Sequence, residues 1–79
     1  MQLTFASYGS AVAITPSDTT QISCRGIYVG GAGNVAVQTR DGATTVTFTA
    51  PPVGSILPVE INQGHVMAAT TATLLIALA

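Results

Sequence analysis

The chain has 79 residues, of which only Arg25, Arg40, Asp18, Asp41 and Glu60 carry a formal charge; that is 6% against about 25% in ordinary soluble domains, while 48% are hydrophobic. Two basic residues cannot meet the about six to ten phosphates of a typical nucleic-acid binder, and one histidine with one cysteine cannot supply the four ligands of a structural zinc site. Cys24 stands alone, so no internal disulfide framework compensates for the marginal core of so short a chain.

In chain order, residues 1–23 read as an N-terminal arm, extended or partly structured, ahead of a β domain at 24–79. The opening MQLTFASYGSAVAI has no Lys or Arg before its apolar part and is interrupted by polar residues, so it does not read as a signal peptide. Phe5, Tyr8, Val12 and Ile14 are apolar enough to need cover, which makes them candidate contacts to a neighbouring subunit in a chain with little core of its own. Pro16 biases Thr15 toward extended geometry, and Thr15 to Thr20 suits a turn or an extended connection. Beyond residue 26, apolar positions recur every second residue, the period of a half-buried strand.

Val35, Val37 and Thr39 alternate with Ala36, Gln38 and Arg40, and a glycine-rich stretch, Gly30 to Gly33, precedes them as an expected hairpin connection from Gly26–Val29. Asp41-Gly42 is the strongest short turn signal and leads to Val46, Phe48 and Ala50, which alternate with Thr45, Thr47 and Thr49. Pro51-Pro52 then removes two backbone donors. Leu57, Val59 and Ile61 form a fourth run, closed by Asn62-Gln63-Gly64. At the C-terminus Ala72, Leu74, Ile76 and Leu78 form one row, with Thr71, Thr73, Leu75 and Ala77 on the other side. This strand is apolar on both faces beyond Leu74, so both need cover, and Leu75 joins the candidate interface residues. The pattern predicts an all-β fold, a small antiparallel β-sandwich or barrel of about five to six short strands with an extended N-terminal arm. The clean apolar run Leu74–Ala79 is far short of the roughly 20 residues that span a bilayer, so no membrane insertion is expected.

The inventory for catalysis is nearly empty. His65 is the one side chain suited to general-base work at neutral pH and Cys24 the one thiol, but no orienting third residue or oxyanion motif accompanies them. Asp18, Asp41 and Glu60 fall in an arm, a turn and a strand, with no spacing that pairs them. Gly30 to Gly33 lacks the Gly-Lys-Ser/Thr ending of a phosphate loop and runs into a strand. The expectation is therefore no enzyme, no cofactor and no metal. Thr45, Thr47 and Thr49 form either a solvated β surface or an uncharged face that packs on a partner, since an uncharged face buries without desolvating ions. A carbohydrate-binding module stacking sugars on Tyr8 or Tyr28 is a further reading, weakened by the lack of tryptophan.

TPSDTT at 15–20, YVGGAGNVAV at 28–37, TVTF at 45–48, PVGSILPV at 52–59 and TTAT at 70–73, in that order, resemble the small head spike base proteins of tailed phages and phage-derived gene transfer agents. The likeness runs from about Val12 to Leu78. It departs at Gly64 to Ala69, where the family has a shorter, often more basic approach to TTAT. The resemblance implies a non-catalytic virion structural protein, assembled in the host cytoplasm and mounted on the capsid exterior. It implies a homo-oligomer, pentameric in preference to trimeric, seated on the major capsid protein at the five-fold vertices and holding a fibre or receptor-binding component. A cement or decoration protein at three-fold or quasi-three-fold positions is the alternative. A closed ring of this kind would bury the apolar arm and the C-terminal strand between subunits.

Overall fold

A computed structural model describes residues 8–79, and every regular element among them is a strand. There are eight: β1 (Ala11–Ala13), β2 (Ile22–Cys24), β3 (Gly26–Val29), β4 (Val35–Gln38), β5 (Val46–Phe48), β6 (Ile56–Leu57), β7 (Ile61–Val66) and β8 (Leu75–Leu78). They form two four-stranded antiparallel sheets, ordered β1-β8-β3-β6 and β2-β7-β4-β5. Strand 1 pairs with 8, 2 with 7, 3 with 6 and 4 with 5, as in one long hairpin bent at the β4–β5 turn. Rolling that hairpin brings β3 onto β8 and β4 onto β7 and yields the two-sheet jelly roll.

The core lies between the sheets and is filled by alternate residues. Ile27 and Val29 from β3, Leu75 from β8, Val35 and Val37 from β4, Ile61 and Val66 from β7, and Cys24 from β2 are all buried. Opposed residues of an antiparallel pair share a face, so register carries this pattern across each sheet: Val29 faces Leu75, Cys24 faces Ile61, and Val37 lies between Val46 and Val66.

The all-β sandwich matches the sequence pattern, but strands are more numerous and differently joined than alternation alone implies. The expected arm is built into the sandwich as far as the structure describes it: β1 edges the first sheet, β2 edges the second, and Ile14 packs on the core. Gly30 to Gly33 is not a hairpin, because β3 and β4 lie in different sheets and the loop crosses between them. The run Leu57 to Ile61 likewise divides, β6 and β7 belonging to opposite sheets. Asn62 to Gly64 does not end a strand; Gln63 has φ 54° and forms a bulge inside β7, its N–H donating to Ser23 Oγ at 3.0 Å. Leu74, with φ 54°, shifts the phase of the last strand by one residue, so the inward row is Leu75 and Ala77 while Leu74 points out.

Candidate assembly surfaces

The jelly roll places the connections β2–β3, β4–β5 and β6–β7 at one end and β1–β2, β3–β4, β5–β6 and β7–β8 at the other. Arg25, Arg40, Asp41 and Glu60 therefore gather at the first end, with the C-terminal Ala79 beside them. Open grooves there are lined by Ser23, Arg25, Glu60, Asn62 and Ala79, and by Thr39, Arg40 and Glu60. Among the described residues neither arginine is within salt-bridge distance of a carboxylate; the one close ionisable pair is His65 and Asp41. No Arg, Lys, Asp or Glu lies within any strand.

At the opposite end the motifs YVGGAGN and TTAT meet. Where β7 leaves β4 at Val66, the exposed ladder groups of β4 are taken up by threonine hydroxyls and by the following backbone. Ala36 N donates to Thr70 Oγ1 at 3.0 Å, Asn34 N donates to Thr71 Oγ1 at 2.9 Å, and the amides of Met67, Thr71 and Ala72 donate to the carbonyls of Ala36 and Asn34. The segment then passes so close to the crossing loop that a Cβ on Gly33 would lie 2.4 Å from Ala72 N, and one on Gly31 1.8 Å from Thr73 Oγ1. Small side chains are required here by contact, and at Gly33 also by its φ of +142°.

The two outer faces differ. On the β1-β8-β3-β6 sheet, Ala13, Ile76, Tyr28 and Ile56 stand in one row across all four strands, with Ala11, Leu78 and Gly26 beside them. Tyr8, half-buried, lays its hydroxyl over Gly26. The uncharged row Ala13, Ile76, Tyr28 and Ile56, with Ile56 46% exposed, makes this the apolar outer face; among the other exposed large apolar side chains of the described residues, Val12 shares the inward side with Ala77 at the sheet edge, and Val53 and Leu74 lie in connections. The outer face of β2-β7-β4-β5 carries no Arg, Lys, Asp or Glu and is mostly polar: Thr47 stands opposite Ala36, and Gln38 opposite His65. Thr45, Thr47 and Thr49 are exposed on this side, Gln38 Nε2 donating weakly to Thr45 Oγ1 at 3.4 Å.

Among the sequence candidates, Val12 is 60% exposed at the edge of the first sheet, and Tyr8 lies on its outer face. Ile14 turns inward against the core. Leu75 is 2% exposed, spent on the chain's own core; the phase shift leaves its neighbour Leu74, at 75%, as the side chain free for a partner. The threonines form a separate surface on the other sheet, and Phe5 lies outside the described residues. Sequence alternation overlooked Ile56, Tyr28 and Ile76 as one row because only strand pairing aligns them.

Cys24 and His65 point to opposite faces of one sheet, and no hydrogen bond joins them. Burial pushes the Cys24 thiol above its ordinary pKa, as befits a small core residue. His65, 3% exposed, faces acceptors on both ring nitrogens: Thr20 O at 2.8 Å from Nδ1 and Asp41 Oδ1 at 3.2 Å from Nε2. Among the described residues, no three His, Cys, Asp or Glu side chains group as metal ligands, and no helix is long and apolar enough to cross a membrane.

No protein-family model and no curated protein matches the chain. Among solved structures, it is similar to a chain in the capsid of a native gene transfer agent (GTA) particle computed with C5 symmetry. The two share 31% sequence identity and superpose with a TM-score of 0.78, over 94% of this chain and 86% of the other.

Proposed function

The chain belongs to the family of the protein found in that gene transfer agent capsid, and from this premise we propose that it is a virion structural protein, a spike base seated on the capsid exterior at the five-fold vertices. The observation that carries the structural role is this likeness over nearly the whole of both chains. The order TPSDTT, YVGGAGNVAV and TTAT supports the spike base reading and, with it, the five-fold position. In this role the protein associates with other capsid components, assembles as a ring of identical copies and acts without catalysis.

The apolar outer face of β1-β8-β3-β6 is the contact we assign to a second copy. It carries no charge to desolvate, and a net charge of −1 per chain imposes little repulsion on a ring of copies. Leu74 fits this use by its exposure: the left-handed backbone, at a cost of about 1–2 kcal/mol, sets the phase of β8 and lets the Leu74 carbonyl accept from Gly30 N at 3.1 Å, which leaves the side chain 75% exposed. Size-exclusion chromatography with light scattering tests the proposal. Five times the chain mass supports the spike base, three times the mass favours the three-fold cement reading, and a monomer at micromolar concentration refutes self-assembly.

A further inference from the structure

The sole histidine of the chain is buried between two groups that only accept hydrogen bonds. Thr20 O belongs to the β1–β2 connection, Asp41 Oδ1 to the β4–β5 turn, and His65 itself to β7. A neutral imidazole has one N–H, so one of these contacts would oppose lone pair to lone pair; the imidazolium satisfies both. We propose that His65 is a pH-sensitive clasp that, when charged, ties the β4–β5 turn to the sandwich and thereby sets the shape and charge of the Arg25–Arg40–Glu60 end.

The groups around it act in one direction. From the β1–β2 connection come the Thr20 carbonyl and, further off, Asp18; from the β4–β5 turn comes Asp41; from β4, opposite in register, comes neutral Gln38. The Thr20 carbonyl first, then the Asp41 carboxylate, raise the histidine above its ordinary pKa, against the opposing effect of burial. Arg40, next to Asp41, lines an open groove with Asp41, Asn62 and Gln63 but is not within salt-bridge distance of the carboxylate.

The two bonds do not break together. The Thr20 bond is the shorter, 2.8 Å against 3.2 Å, and accepts at a backbone carbonyl fixed by the chain, whereas the Asp41 side chain is 69% exposed and can turn to water. The proton lost with rising pH is therefore the one on Nε2, leaving the Nδ1–H tautomer on Thr20. Asp41 is then released, and the connection keeps its backbone bonds, Asp41 N to Gln63 O at 3.1 Å, Asn62 N to Thr39 O at 2.9 Å and the internal Ala43 N to Arg40 O at 3.0 Å, with the weak Gln38 Nε2 to Thr45 Oγ1 contact at 3.4 Å, but loses its tie to the histidine. Formally, the side chains at this end change from +1 (Arg25, Arg40 and His65 positive; Asp41 and Glu60 negative) to neutral.

Nitrogen-15 NMR of the full chain, titrated from pH 5 to 9, tests this. The expected result is a doubly protonated ring below a midpoint that lies above 6.5, the Nδ1–H tautomer above it, and a fall across the same transition in the amide protection factors of Asp41 and Ala43, exchange being corrected for its intrinsic rise with pH, while those of Ser17 and Ala68 are unchanged. In Asp41→Asn, whose altered side chain is exposed, the midpoint should fall. A neutral ring at pH 6, an Nε2–H tautomer at high pH, or a midpoint indifferent to Asp41→Asn overturns the clasp.

Discussion

Replacing Gly33 by alanine tests whether the two glycine- and threonine-rich motifs are held together by close backbone contact. The new Cβ would lie 2.4 Å from Ala72 N, 2.5 Å from Thr71 C and 2.7 Å from Ala72 Cα, all main-chain atoms that no rotamer change can move. Overpacking of this kind costs about 1–3 kcal/mol, and a non-glycine residue at φ +142° adds about 1–3 kcal/mol. Reduced freedom of the unfolded chain returns about 0.4–1 kcal/mol, leaving a net loss between roughly 1 and 5.5 kcal/mol, with a midpoint of about 3 kcal/mol. Against a total stability of about 4–12 kcal/mol for a chain of this length, that approaches unfolding. Gly42→Ala is the control: its φ is +82° but nothing lies within 4 Å, so it should lose only about 1 kcal/mol. Urea unfolding followed by circular dichroism at one fixed protein concentration measures both. A Gly33→Ala loss no larger than that of Gly42→Ala would refute the close-contact argument.

Ile56→Lys, on the exposed outer row, should leave the unfolding midpoint within about 0.5 kcal/mol at low concentration while light scattering shows dissociation to monomer; an intact oligomer would move the subunit contact elsewhere. Leu74→Gly should relieve about 1 kcal/mol of backbone strain, partly offset by unfolded-state entropy, and weaken assembly in the same sample. With the folded pKa of His65 above its unfolded value of about 6.5, its contribution to stability is full below that value and is lost as pH rises through the folded pKa; denaturation midpoints across pH 5–8 should show this fall, and His65→Gln should flatten it. The Cys24 pKa is raised too, so a further loss is expected only above about pH 8.5, and a thiol reagent should modify native protein at the rate of unfolding or local opening.

Much of the molecule follows from residue order alone. Alternation at Val35/Val37 and Val46/Phe48 determines strands, because a period of two has meaning only on a pleated surface, and Asp41-Gly42 marks the one hairpin between them. Charge scarcity and the lack of paired catalytic groups are equally compositional, and the ordered motifs carry the family likeness. Tertiary structure decides what the period cannot encode. A left-handed residue at Gln63 or Leu74 moves a strand's phase by one, and neither residue type announces that conformation, so Leu75 becomes core and Leu74 surface. Likewise, a glycine-rich loop reads the same whether it joins paired strands or crosses between sheets; the choice rests on the long-range pairing of β3 with β6 and β8. The same pairing aligns Ala13, Ile76, Tyr28 and Ile56 into one apolar row and draws Arg25, Arg40, Asp41 and Glu60 to one end. Faces and ends are properties of partners distant in sequence, which is why they emerge only when the hairpin rolls.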